Sequence, residues 1–192
     1  MFTSLVDSRD HRCGLVADGK AYCWGNNRSG QLGDGTAGSA TDYRAADRSV
    51  PVAVLGGRTF ASLSAGGSHT CGLTRAGTAY CWGANSQGQL GDDTSGNGDW
   101  SDTTANRSTP VAVLGGRTFT SIAVGGHHTC ALEAGGVAYC WGLNQDGQLG
   151  DGTTGTTGTN RVTPTAISGT LTFATITAGR HHTCGVTVGG AA

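Results

Sequence analysis

Apolar and polar residues alternate along this chain in short runs, which glycine pairs and polar clusters separate. Short alternating runs predict β-strands, and the glycine and polar clusters predict turns between them. Around the third cysteine pair we predict four strands, at residues 111–114, 119–124, 128–132 and 137–141. The periodicity is strand-like within the whole of this segment, so the pattern predicts an all-β protein.

The same segment recurs along the chain, which indicates a repeat protein. The clearest marker is Cys-x9-Cys, whose second cysteine stands between Tyr and Trp-Gly. Its first cysteines lie 58 and 59 residues apart, and a fourth copy begins 54 residues later. We therefore predict one repeat domain, residues 1–192. Its units are approximately 1–50, 51–109, 110–163 and 164–192, the last one incomplete.

Four strands in each repeat of this length are typical of a propeller blade. The sequence predicts a partial β-propeller of about three and a half four-stranded antiparallel blades. A stacked β-solenoid is the alternative, but its repeats are usually shorter and lack a tight hairpin at a fixed place.

A proline opens each new unit, at Pro51, Pro110 and Pro164. With that division the units hold 3, 4, 4 and 3 strands, because the first lacks its proline strand and the last its Tyr-Cys-Trp strand. Joining tail to head would connect a third strand directly to a second strand. We therefore favour a fragment of a longer protein over one half of a two-copy propeller. Open blade edges also predict a tendency to self-associate.

Three segments of the third unit carry a family resemblance. They are Gly-Gly-His-His-Thr-Cys-Ala-Leu at 125–132, Tyr-Cys-Trp-Gly at 139–142 and Gly-Gln-Leu-Gly-Asp-Gly-Thr at 147–153. Together they resemble the repeat of the regulator of chromosome condensation family, over essentially the whole chain. The resemblance implies a seven-bladed propeller, for which this chain is too short. It also implies guanine-nucleotide exchange on a small GTPase as one function, although the repeat motif does not contain the exchange residues.

Composition narrows the range of partners. Glycine supplies 35 of 192 residues, which favours many tight turns over helices. The net charge of −1 offers no basic surface for nucleic acid. No apolar run approaches the ~20 residues of a membrane-spanning helix. We expect a protein partner, no nucleic acid and no membrane.

Each complete cysteine pair brackets a three-residue turn that ends in Gly19, Gly77 or Gly136. Such a hairpin places the two cysteines opposite each other, with Cα atoms about 4.5 Å apart. A disulfide fits that distance. We predict an unpaired thiol at Cys184 and three disulfides: Cys13–Cys23, Cys71–Cys81 and Cys130–Cys140.

Buried free thiols are the alternative to disulfides. Zinc is disfavoured because the usual Cys-x2–4-Cys spacing is absent, and we expect neither a metal nor a cofactor. Disulfides would indicate an extracellular or periplasmic protein, whereas free thiols would indicate the cytoplasm.

Histidine and tryptophan recur at fixed positions of the repeat, which indicates structural roles. We expect each repeated imidazole to bond a backbone carbonyl of the next blade, and each repeated indole to pack in the core or between blades. No arrangement typical of a catalytic triad stands out, so we expect no enzyme. The repeated residues are His11, His69, His128, His182, Trp24, Trp82 and Trp141.

The stretches 36–49, 92–102 and 153–163 differ in length and content between units. Variable loops on a constant frame usually carry binding function. Trp100, Asp99 and Asp102 are therefore the candidate partner-binding residues, because Trp100 is not repeated and stands in an acidic loop. A calcium site there is disfavoured, since the EF-hand spacing is absent.

The function we expect is protein binding through these loops on a non-enzymatic scaffold. The alternatives are a guanine-nucleotide exchange factor for a small GTPase and an inhibitor of a secreted enzyme. Paired cysteines favour the secreted inhibitor over the exchange factor.

Overall fold

The computed structural model describes residues 1–39, 41–99, 101–155 and 158–190. These residues form fourteen strands and no helix. The strands make three four-stranded antiparallel sheets and one two-stranded sheet, each arranged in chain order. A partial propeller with no helices is confirmed.

Each sheet consists of strands that follow one another directly in the chain. The first sheet holds β1 (Phe2–Asp7), β2 (His11–Val16), β3 (Ala21–Gly25) and β4 (Arg48–Ala53). The second holds β5 (Ser62–Ala65), β6 (His69–Leu73), β7 (Ala79–Gly83) and β8 (Arg107–Ala112). The third holds β9 (Phe119–Val124), β10 (His128–Glu133), β11 (Ala138–Gly142) and β12 (Arg161–Ala166). The fourth holds β13 (Phe173–Ala178) and β14 (Thr183–Thr187).

The sheets are offset by one strand from the sequence units, which corrects our strand grouping. The proline strand β4 pairs with β3, through Tyr22 with Ala53 and Cys23 with Val52. It therefore closes the preceding sheet, and the described sheets hold 4, 4, 4 and 2 strands instead of 3, 4, 4 and 3. Pro51 has no amide hydrogen, and an outer strand such as β4 is where a missing donor is tolerated.

The hairpin between β2 and β3 has the predicted geometry. Gly19 adopts a left-handed φ of 82°, and its amide donates to the Val16 carbonyl at 2.8 Å. Gly77 and Gly136 repeat this conformation with φ values of 80° and 84°. The turn sets the register, so Cys13 lies directly opposite Cys23, with Cα atoms 4.1 Å apart.

A buried chain of hydrogen bonds joins each sheet to the next. His11 Nε2 lies 2.8 Å from Thr70 Oγ1, and the same hydroxyl donates to the Gln31 carbonyl at 2.9 Å. Because this hydroxyl has only one hydrogen, His11 Nε2 is the donor to Thr70. Trp82 Nε1 donates to the same Gln31 carbonyl at 2.9 Å. We name this arrangement the blade clasp.

The blade clasp corrects our expectation for the histidines. We predict that each imidazole bonds a backbone carbonyl of the next blade, but it donates to a threonine hydroxyl there instead. That hydroxyl donates in turn to a backbone carbonyl in the long connector of the histidine's own sheet. The second clasp has distances of 2.9, 2.9 and 3.0 Å. The third contains only the first two bonds, at 2.9 and 2.8 Å. The second clasp consists of His69, Thr129, Gln89 and Trp141, and the third of His128, Thr183 and Gln148.

Apolar side chains surround each clasp and form the core between neighbouring sheets. Leu32 of the first sheet and Trp82 of the second are both fully buried in one cluster. Phe60 packs on Trp82 with ring centroids 5.7 Å apart. The equivalent Trp141 is also fully buried, whereas Trp24, which none of the described sheets covers in this way, is only half-buried. His182 of the two-stranded sheet is exposed.

Candidate functional site

Long and short connectors leave each sheet at the same end. In an antiparallel sheet the β1–β2 and β3–β4 connections lie at one end, and the β2–β3 hairpin lies at the other. The long connectors, 26–47, 84–106 and 143–160, therefore share one face with the short turns after β1, β5, β9 and β13. We name this surface the connector face.

Each long connector begins with a buried asparagine that holds a rigid frame. Asn27 Nδ2 donates to Asp34 Oδ1 and to Thr36 Oγ1, both at 3.0 Å. Its Oδ1 accepts the amide hydrogen of Leu32 at 3.0 Å. Asn85 and Asn144 make the same bonds in their connectors. The asparagine frame fixes the first part of each connector in the same shape.

An ion pair anchors the end of each long connector to the same frame. Arg48 Nη2 lies 2.9 Å from Asp34 Oδ2, and the equivalent pairs measure 3.0 and 2.6 Å. Burial raises the pKa of Asp34, but hydrogen bonds from Thr36 and the charge of Arg48 outweigh it and hold the pKa below its usual value. The equivalent pairs are Arg107 with Asp92 and Arg161 with Asp151.

The arginine was missed in the sequence, although a signal was present. An arginine stands three residues before each repeated proline, as in Arg48 before Pro51. We interpreted these prolines as the start of a unit, which separated each arginine from the strand it belongs to.

Replacing the frame asparagine should destabilise the second connector and the sheet beneath it. In Asn85→Ala the carboxylate of Asp92 and the amide of Leu90 each lose a partner in a buried setting, and we expect a loss of about 2–3 kcal/mol in the free energy of unfolding. Urea unfolding measures it. Asn97→Ala is the control, because Asn97 is exposed and its side chain accepts one amide hydrogen, from Asp99. Equal losses in the two variants would contradict the role of the frame.

One residue of the second frame is strained. Asp93 has a φ of 62°, in the left-handed region, where the other copies have Gly35 and Gly152 with φ values of 83° and 85°. A side chain in this conformation costs about 1 kcal/mol relative to glycine. We expect Asp93→Gly to raise the free energy of unfolding by roughly that amount in urea. A neutral or destabilising result would show that the Asp93 side chain contributes more than the strain costs.

The tip of the second connector carries two of the three residues predicted to bind a partner. Asp99 and Asp102 accept hydrogen bonds from Ser101 and Thr104, which lower the pKa of both carboxyls. Both carboxylates therefore help to close the turns of this tip. Trp100 lies outside the described residues, and its role stays a prediction.

The short turns of all four sheets line an open cavity of about 760 Å³, which we name the central cavity. Glycine backbones approach each other closely along its wall. The Gly67 amide donates to the Gly125 carbonyl at 3.2 Å, and a Cβ on Gly67 would lie 2.6 Å from the Gly126 oxygen. Burial, reinforced by His181 and Arg180, lowers the pKa of His127 beside it to about 4.

The cysteine pairs are buried in the core between the sheets. Their sulfur atoms are 2.07, 2.13 and 2.12 Å apart, in the order of the chain, and Cys184 is exposed. In the described ranges no three His, Cys, Asp or Glu side chains are grouped as metal ligands would be. Nor do these residues include a helix with the length and hydropathy needed to cross a membrane.

Comparisons with known proteins agree with the repeat. A family model for the regulator of chromosome condensation (RCC1) repeat matches residues 18–73, 76–132 and 135–186. The RCC1 domain-containing protein RUG3, mitochondrial, of Arabidopsis thaliana is 33% identical over 156 residues, which are 77% of this chain and 32% of that protein.

Two solved structures share the fold. Prp20p from Saccharomyces cerevisiae, studied for its binding to Gsp1p and histones, aligns with a TM-score of 0.75 and 24% identity over 93% of this chain and 42% of that chain. The ectodomain of the Physcomitrella patens receptor kinase CR4 aligns with a TM-score of 0.57 and 25% identity over 100% of this chain and 39% of that chain.

The chain therefore spans less than half the length of each of these three proteins. The family model nevertheless covers most of its residues in three successive copies. On that basis, and with the clasps and connector frames repeated in register, this chain belongs to the regulator of chromosome condensation (RCC1) repeat family.

Proposed function

We propose that this chain is a non-enzymatic module that binds a protein partner through the connector face. The observation that supports this most directly is the contrast within each long connector. The asparagine frame and its arginine anchor are the same in all three, whereas the residues between them differ in length and sequence. A fixed support under variable segments is typical of a binding surface.

A connector exchange tests this proposal. Residues 95–105 are replaced by the sequence of 154–159, which keeps Asn85, Asp92 and Arg107 of the frame. We expect the variant to fold and to lose partners that the parent protein captures from its own source cells. The control replaces Arg75 and Ala76, in the hairpin at the opposite end of the second sheet, by Ala-Gly from the third. Partners lost equally from both variants, or kept by the connector variant, would contradict the proposal.

The predicted role of Trp100 has its own test. Trp100→Ala removes one large side chain from the acidic tip and leaves the frame unchanged. If this residue is a hot spot, we expect a loss of 2 kcal/mol or more in partner binding. Unchanged capture of the same partners would remove Trp100 from the binding surface.

Exchange activity on a small GTPase is the second candidate function, because the similar protein Prp20p was studied for its binding to Gsp1p. Release of labelled GDP from a panel of small GTPases measures it. Faster release by this chain than by the connector variant would favour exchange over simple binding.

We propose an oxidising compartment, extracellular or periplasmic, for this protein. Three paired cysteines support it, as does the likeness to a receptor ectodomain, while the mitochondrial relative favours a location inside the cell. A thiol count on protein taken directly from its source, denatured without reductant, decides between them. One thiol per chain supports the proposal and seven contradict it.

A further inference from the structure

Eight of the eleven arginines among the described residues make an ion pair or stack on an aromatic ring. Two exceptions, Arg9 and Arg180, line the central cavity, and a third, Arg75, lies in the hairpin at the opposite end of the sheets. Arg28 also lines the cavity, 5.7 Å from the ring of Tyr43. The arginines that make an ion pair or stack on an aromatic ring elsewhere are Arg12, Arg44, Arg48, Arg58, Arg107, Arg117 and Arg161.

The central cavity is therefore a basic site, and few side chains fill the space between its arginines. Arg9, Arg28 and Arg180 are all exposed, and Asp10 is the only acidic residue of its lining. Glycines form much of the wall, so backbone and not side chains faces the space between the arginines. An anionic group that enters here meets guanidinium groups contributed by the first and fourth sheets.

The long connectors of the same face are acidic. The three long connectors contain nine of the thirteen acidic residues of the chain. Three of the nine form ion pairs with the anchoring arginines, and within the described residues the other six carboxylates make no ion pair with an arginine. The nine are Asp34, Asp42, Asp47, Asp92, Asp93, Asp99, Asp102, Asp146 and Asp151.

This charge pattern selects the kind of anion that fits. A long polyanion such as a nucleic-acid strand would extend beyond the cavity over the same face, where the carboxylates of the connectors repel it. A narrow protein segment with a few carboxylates can enter the centre alone, while basic residues beside it face the connectors. Arginine forms bidentate hydrogen bonds with carboxylates, which fixes the orientation of such a segment.

We propose that the central cavity binds the carboxylate side chains of a narrow acidic segment of a protein partner, through Arg9 and Arg180. This inference rests on the proposed binding function of the connector face and specifies the chemistry of the partner. The two arginines supply charge and hydrogen bonds, and the glycine wall supplies room for the segment.

A peptide experiment tests the inference without the natural partner. Fluorescein-labelled decaglutamate is titrated with the protein at low ionic strength, and binding is followed by fluorescence anisotropy. In Arg9→Gln/Arg180→Gln we expect affinity to fall about tenfold, because each exposed ion pair contributes a few-fold. The control Arg75→Gln removes an equally unpaired, exposed arginine at the other end and should change affinity less than twofold. Thermal unfolding verifies that all variants are folded.

The outcomes separate the alternatives. A loss that is equal in the Arg75 variant indicates attraction to charge in general and overturns the inference, as does wild-type affinity in the double variant. Tighter binding of labelled decathymidylate than of decaglutamate, lost in the double variant, overturns it in favour of nucleic acid. Because no natural partner takes part, failure here still leaves the connector exchange to decide the proposed function.

Discussion

At pH 4.5 we expect this protein to lose most of its free energy of unfolding, because three imidazoles are buried as neutral groups. Burial lowers the pKa of His11 and of His128 to about 4, and holds the pKa of His69 well below its usual value. The unfolded chain takes up these protons near pH 6.5, whereas the folded chain does not. Stability is therefore complete above pH 6.5 and falls as the pH decreases towards 4.

The expected loss is about 2 kcal/mol each for His11 and His128 at pH 4.5, and His69 adds a loss in the same direction, so the three together remove a large part of the stability of an ordinary domain. Urea unfolding at pH 7, 5.5 and 4.5 measures it. Carboxyls with a lowered pKa, such as Asp34 and Asp151, add their own losses mainly below pH 4, outside this window.

The variant His128→Gln separates the histidine effect from other acid effects. It loses one titrating group, so its stability should fall less steeply between pH 7 and 4.5 than that of the parent, even if it is less stable at pH 7. A parent stability that is flat over this range would contradict the burial of neutral imidazoles in the clasps.

Breaking the cysteine pairs should have a comparable effect. Each pair closes a loop with a sequence separation of 10, for which loop entropy predicts about 2–3 kcal/mol. Cys71 and Cys81 are also fully buried in the core between the second and third sheets. We expect Cys71→Ala/Cys81→Ala to lose at least this loop-entropy contribution in urea unfolding. Dithiothreitol should lower the stability of the parent protein by more, because it opens all three pairs.

Cys184→Ala is the matched control, because this thiol is exposed and unpaired. It should change stability by less than about 0.5 kcal/mol, and it should leave the response to dithiothreitol unchanged. If dithiothreitol had no effect on the parent protein, the cysteines would act as buried thiols and the proposed oxidising compartment would have to be abandoned.

Much of the fold could be predicted because the same strand patterns and turn residues occur three times along the chain. The strand 119–124 and the register of Cys13 opposite Cys23 depend on alternation and on a short turn, which are local properties. The sheet to which Pro51 belongs depends on a non-local pairing. A proline indicates an outer strand, but each sheet has two outer strands, and the sequence does not distinguish the last of one sheet from the first of the next.

The contacts of the site show the same limit. The repeated position of His11 predicts an inter-blade contact but not its partner. Thr70 lies 59 residues away, and nothing in the sequence marks a hydroxyl that both accepts and donates a hydrogen bond. The anchoring Arg48 was visible only as a spacing before Pro51. The unpaired state of Arg9 and Arg180 depends on which side chains surround them, so only the structure could reveal it.

The offset between repeat and sheet also determines where such genes can be recombined. A crossover at Pro51 would cut through β4 and leave its two halves in different proteins. A crossover within residues 54–61, between β4 and β5, would transfer whole sheets together with their long connectors. Shuffled libraries joined at 54–61 and at its counterparts should therefore yield far more soluble chimaeras than libraries joined at the prolines.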